Sequence, residues 1–98
     1  LQALPSLPGS TTGAGAYGVN HNGTLVCGTS GSPDGDRAVR WTPNGIQNLG
    51  TLPGGGYSFA YAMSRNGHAI AGLSDSPNGE RAIRWTTAQG MRELAGLQ

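Results

Sequence analysis

Apolar and β-branched residues come in short runs separated by polar and glycine-rich breaks, and the same succession is written twice. In the first copy, Ala16-Tyr17-Gly18-Val19-Asn20 leads through His21-Asn22-Gly23 into Thr24-Leu25-Val26-Cys27-Gly28-Thr29-Ser30. The chain then crosses Ser32-Pro33-Asp34-Gly35-Asp36 into Arg37-Ala38-Val39-Arg40-Trp41-Thr42, turns at Pro43-Asn44-Gly45 and continues as Ile46-Gln47-Asn48-Leu49. Runs of this length bounded by turn residues predict four strands joined by three hairpin turns. Helical periodicity is absent. The second copy repeats the plan around Tyr61-Ala62-Met63-Ser64, His68-Ala69-Ile70-Ala71-Gly72 and Arg81-Ala82-Ile83-Arg84-Trp85-Thr86.

The two copies keep the same order at an offset of 44 or 45 residues. Tyr17 and Tyr61, Gly23 and Gly67, Arg37 and Arg81, and Trp41 and Trp85 lie 44 residues apart, while Pro8 and Pro53, Gly45 and Gly90, and Leu49 and Leu94 lie 45 apart. The turns carry Asn22-Gly23, Asp34-Gly35 and Asn44-Gly45, then Asn66-Gly67, Asn78-Gly79 and Gln89-Gly90. Such pairs favour hairpin turns with positive φ at both central positions, whose twist matches the flanking strands. The connector Leu49-Gly50-Thr51-Leu52-Pro53-Gly54-Gly55-Gly56 is matched earlier by Leu4-Pro5-Ser6-Leu7-Pro8-Gly9. A third partial match, Met91 to Leu97, parallels both Ile46 to Leu52 and Leu1 to Leu7, so the last strand of the unit is written three times. The division that follows is a surplus last-strand copy at 1–7, one repeat at 8–52 and a second at 53–98. The surplus copy pairs across a subunit boundary, replaces another copy or frays.

Four antiparallel strands in about 45 residues is the size of a β-propeller blade, and such blades stack face to face around a channel. The expected class is therefore all-β, with two four-stranded antiparallel blades per chain. Two blades leave two open faces; at roughly 300 Å² of apolar surface each and ~25 cal/mol per Å², the exposure forgoes about 15 kcal/mol. That matches or exceeds the whole stability of a typical domain, about 5 to 15 kcal/mol. Head-to-tail self-association until a ring closes is the expected remedy. A homotrimer with six blades is favoured over a dimer or tetramer, because a four-bladed ring needs severe twist and small residues at every interface.

Composition narrows the function classes. The chain has 98 residues, of which 18 are glycine and only 11% are charged, which speaks for turns and packed backbone and against disorder. A net charge of +1 gives no electrostatic reason to expect nucleic acid or an anionic membrane. All six basic residues are arginine, a bias that fits specific, partly buried contacts or a GC-rich coding sequence. Cys27 is the single cysteine, so neither a disulfide framework nor a cysteine zinc site is expected. No apolar run has the length of a membrane span and no signal segment stands out. A start at Leu1 is expected of an excised fragment or a processed product.

The block Leu49-Gly50-Thr51-Leu52-Pro53-Gly54-Gly55-Gly56-Tyr57-Ser58, with Ala60-Tyr61, Arg65-Asn66-Gly67, Ala71-Gly72, Pro77-Asn78-Gly79-Glu80, Ala82 and Arg84-Trp85-Thr86, resembles the HAF family of probable extracellular repeats. The resemblance covers both copies. It implies a secreted or surface-exposed bacterial protein, sometimes autotransporter-linked, and no established activity. The first copy departs most, with Leu4-Pro5-Ser6-Leu7 against Leu49-Gly50-Thr51-Leu52, and Ser10-Thr11-Thr12 where the second has glycines and Tyr57.

The candidate ligand-binding residues are Trp41, Trp85, Arg40, Arg84 and Tyr57. An indole can stack on the apolar face of a sugar while guanidinium donates to hydroxyls; alternatively the indoles fill the space between blades. Strand alternation puts Trp41 with Val39 and Arg40 with Ala38. Tyr57 sits in the glycine-rich connector without an aromatic counterpart in the first copy. Cys27 with His21 or His68 is a poor nucleophile pair, since the other copy has Ala71 in the cysteine's place; a small buried thiol is expected instead. Asp34-Gly35-Asp36 has too few oxygens for a calcium loop and reads as a hairpin turn, and Pro5 with Pro8 reads as a connector between blades. No catalytic residue, metal site or cofactor is expected. The expectation is a non-enzymatic ring-forming module outside a bacterial cell that binds glycan or a surface protein, with a structural stalk or spacer as the nearest alternative and an enzyme with its site at the channel mouth as a remoter one.

Overall fold

A computed structural model describes residues 5–10 and 13–94. Leu1 to Leu4 of the surplus strand copy, and Ala95 to Leu97 of its C-terminal match, lie outside the described residues. Among the described residues eight strands follow one another: β1 (Ala14–Val19), β2 (Val26–Ser30), β3 (Arg37–Thr42), β4 (Gly45–Gly50), β5 (Ser58–Met63), β6 (Ala69–Ser74), β7 (Arg81–Thr86) and β8 (Gly90–Glu93). They form two four-stranded antiparallel sheets with strands in sequence order, sheet A from β1 to β4 and sheet B from β5 to β8. The expected all-β class and two-sheet organisation are present. β5 begins earlier than the apolar run from Tyr61 indicates, because Ser58 pairs with Ser74 and donates its backbone N–H to Asp36 O at 3.0 Å.

The hairpin turns differ from expectation in backbone conformation. Among the described residues only glycine takes positive φ, such as Gly23 at 78° and Gly67 at 78°; the asparagines before them do not. The turn is instead closed from Gly23 N–H to Asn20 O at 3.2 Å and from Gly67 N–H to Ser64 O at 2.9 Å. Asparagine is useful here for its side chain: Asn22 Oδ1 accepts from Thr24 N–H at 3.2 Å and Asn66 Oδ1 from His68 N–H at 3.0 Å. In the next turns Ser32 and Ser76 supply the closing bonds, their hydroxyls donating to Gly35 O at 2.6 Å and Gly79 O at 2.8 Å.

The sheets stack through unlike faces. Cys27 and Ala38 of sheet A, both fully buried, pack with Leu49 against Ala60, Ile70 and Trp85 of sheet B. On the opposite side of sheet A, Val39 and Trp41 pack with Leu7, Val26 and Ile46. β5 lies against β1, β2 and β3, whereas β4 and β8 touch only lightly, so the sheets draw together at their first strands and diverge toward their last.

Buried serines tie the connectors to the sheets. Ser30 Oγ accepts from Leu7 N–H and Ser74 Oγ from Leu52 N–H, each at 2.9 Å, and both hydroxyls are completely buried. Ser58 spans the two sheets: its Oγ accepts from Ala38 N–H at 2.8 Å and donates to Gly50 O at 2.5 Å. Each bond removes the cost of a buried backbone group left without a partner, about 1 to 3 kcal/mol.

Candidate functional site

The first strand of each sheet carries a bulge at the same place. Register slips between Ala16 and Gly18 in β1 and between Ala60 and Ala62 in β5, leaving Tyr17 and Tyr61 as the extra residues. A bulged residue is re-aimed out of the regular alternation. The two phenol rings meet with centroids 5.6 Å apart and planes tilted by 56°. Alternation along the connector and β5 adds Phe59 and Tyr57, with Phe59 6.2 Å from Tyr61 and Tyr57 5.6 Å from Phe59. The result is a row of four rings, Tyr17, Tyr61, Phe59 and Tyr57, along the edge where the sheets converge. Tyr17 is 59% and Tyr61 48% exposed, which is unusual for rings already in contact with other rings.

Two shallow hollows flank this row. The larger, about 520 Å³, is bounded by Asp36, Gly56, Tyr57, Phe59 and Glu80. The smaller, about 260 Å³, includes Gly15, Tyr17, Thr29, Asp36 and Phe59. Thr29 Oγ1 is the one buried side-chain polar atom among the described residues without a hydrogen-bond partner. Tyr57 donates its phenol proton to Glu80 Oε2 at 2.5 Å. This bond, with burial and the negative charges of Glu80 and Asp75 adding to it, pushes the phenol pKa up to about 12. Tyr57 is therefore neutral at any physiological pH, and its oxygen has lone pairs left to accept from a ligand.

The candidates found in sequence are dispersed. Trp41 and Trp85 are 3% and 6% exposed, so neither offers a free ring face for stacking. Trp41 Nε1 donates to Pro5 O at 2.7 Å. Arg40 lies over the Trp85 ring, 5.0 Å from its centroid, and donates to Gln47 Oε1 and to Gly67 O, each at 3.0 Å. Burial lowers the guanidinium pKa. Arg84 is exposed on β7, directly across from Arg92 on β8, and neither arginine has an ion pair or hydrogen bond among the described residues. Of the candidates, Tyr57 alone belongs to the aromatic row.

Tyr17, Phe59, Tyr61, Asp36 and Glu80 were not recognisable as one site in the sequence. The repeated Tyr17 and Tyr61 and the alternate aromatics at 57, 59 and 61 are the signal that points there. Cys27 is fully buried and its thiol pKa is raised, chiefly by burial with an opposing backbone bond from Gly18, which is the reverse of an activated nucleophile. No group of three or more His, Cys, Asp or Glu side chains able to hold a metal lies among the described residues. No helix among the described residues is long and apolar enough to cross a membrane. No family model, curated protein or solved structure matches the chain.

Proposed function

We propose that the chain is a non-enzymatic binding module, two neighbouring blades of a β-propeller whose ring is completed by further copies, and that the aromatic row is its glycan-binding surface. The observation that carries this reading is the pair of equivalent, half-exposed tyrosines, Tyr17 and Tyr61, continued by Phe59 and Tyr57 and edged by the Asp36 and Glu80 carboxylates. Aromatic faces stack on the C–H face of a sugar, and carboxylates, phenols and backbone groups exchange hydrogen bonds with its hydroxyls. Repetition around a ring multiplies weak sites into useful avidity. The convergence of the sheets at β1 and β5 supports a radial arrangement with this row near the axis. Three copies and six blades remain the favoured ring. An extracellular or cell-surface location follows from the resemblance to HAF repeats.

A panel of immobilised oligosaccharides tests the reading directly. Binding is expected for the parent chain and lost in Tyr61→Ala with the β-sheet circular dichroism unchanged, since Tyr61 is half exposed. A panel silent throughout for the parent would sink glycan binding and leave the module a structural spacer.

A further inference from the structure

The junction between the sheets is assembled from residues that the repeat writes twice, but each chain makes it once. On the side of sheet A turned to sheet B stand Gly18, Cys27, Ala38 and Arg40. Their counterparts one repeat on are Ala62, Ala71, Ala82 and Arg84, and these are all exposed. Ala62, Ala71 and Arg84 border an open hollow of about 310 Å³ that also reaches Leu94. Conversely, Met63 packs into the junction from sheet B, whereas its counterpart Val19 on sheet A is 56% exposed. The chain thus ends in two complementary half-junctions.

We propose that a second copy of the chain seats the Val19 and Trp41 side of its sheet A on the Ala71, Ala82 and Arg84 face of sheet B, in the register of the internal junction. The Arg84 guanidinium then reaches toward Gly23 O of the neighbour as Arg40 reaches Gly67 O, and Gly23 is exposed where Gly67 is buried. This rests on the ring reading above and adds which surfaces meet and how. Connectivity is compatible: residues 90–94 match 45–49 and residues 5–7 match 50–52, so the two copies supply the fourth strand and its connector without overlap between the described segments. The inferred contact also gives the Arg84 charge, opposed across the strands by Arg92, a backbone carbonyl to donate to. The aromatic row is left open, because Tyr17 and Gly15, the counterparts of Tyr61 and Phe59, stay exposed at the internal junction.

The seam between copies lacks three devices of the internal one. Ala14 replaces the Ser58 clamp, Ala62 replaces Gly18, whose added Cβ would lie 3.3 Å from Ala62 Cα, and Arg92 replaces Gln47 beside the stacked arginine. Assembly is therefore expected to be concentration-dependent and to part at this seam.

Sedimentation velocity over a wide concentration range tests it with three substitutions at exposed positions, Ala82→Glu, Arg84→Glu and Ala14→Ser. The parent should associate to two, three or four copies and Ala82→Glu should be monomeric. Arg84→Glu should weaken association by about tenfold or more, as loss of a hydrogen bond from a charged donor implies. Ala14→Ser should strengthen association by restoring a hydroxyl aimed at the Ala82 backbone. If Ala82→Glu dissociates the assembly while Arg84→Glu and Ala14→Ser leave it unchanged, the face is used in another register and this proposal falls while the ring reading stands. A parent that is monomeric at every concentration overturns both.

Discussion

Tyr57 meets solvent with its proton already committed to Glu80, and that bond has a measurable signature. Its pKa in the fold lies above the ordinary 10.0, so the bond favours the folded state at every pH below about 10 and the contribution fades as pH climbs through about 12. An alkaline titration followed by phenolate absorbance should show one tyrosine ionising last, near pH 12. Glu80→Gln should bring that phase back toward the ordinary value, and Tyr57→Phe should delete it; persistence of the phase in Tyr57→Phe would assign it elsewhere. Cys27 makes a second residue-level case. A thiol that is fully buried and shifted upward should react with a disulfide reagent at pH 8 at least about a hundredfold more slowly than in denaturant. These environments were only partly legible in the sequence. The buried thiol follows from Ala71 at the equivalent position, whereas the contact of Tyr57 with Glu80 spans 23 residues and depends on how connector and turn fold back.

At the scale of strands and connectors, hydrogen bonds by serine decide more than the apolar pattern reveals. Ser58→Ala would leave the buried Ala38 N–H and Gly50 O without this partner, and is expected to cost about 1 to 3 kcal/mol in urea unfolding. Ser30→Ala should instead loosen the segment at Leu7 locally, seen as faster amide exchange at Leu7 with a smaller loss of global stability. Equal losses from both substitutions would contradict a clamp confined to the junction. Gly28 and Gly72 are fixed for a different reason: a Cβ on either would overlap a backbone carbonyl oxygen of the bulged first strand, Gly15 or Phe59 respectively. Gly72→Ala should therefore cost about 3 to 5 kcal/mol, in the range of the most damaging single substitutions. Strand identity and order were legible because turn residues and alternation recur in phase; β3 and β7 run from arginine to threonine as the pattern indicates. The bulges were not, since an extra residue in a strand leaves the list of apolar positions almost unchanged while turning Tyr17 and Tyr61 to a new direction.

For the whole molecule, the inequality of the two sheet faces has a consequence that can be built. Counting by the repeat, Leu94 stands where Leu49 and Leu4 stand, and Pro5 stands where Gly50 does. Joining Leu94 of one unit directly to Pro5 of the next therefore keeps the 45-residue spacing of the fourth strand and connector and drops the redundant copy. In a ring of six blades, a fusion of three units has no unmatched face left and should sediment as a single chain at every concentration, with a midpoint of thermal unfolding well above that of one unit. A fusion of two units still exposes one Arg84 face and one Trp41 side and should go on associating. If a four-bladed ring is the true closure, the two-unit fusion becomes the self-contained species and the three-unit fusion the one that associates. The pair of fusions thus reads the blade number: six if the three-unit fusion stays alone, four if the two-unit fusion does, and eight if the two-unit fusion closes as a dimer. Open-ended association of both would mean that the seam repeats without closing, as a head-to-tail contact does when its rotation fails to complete a circle.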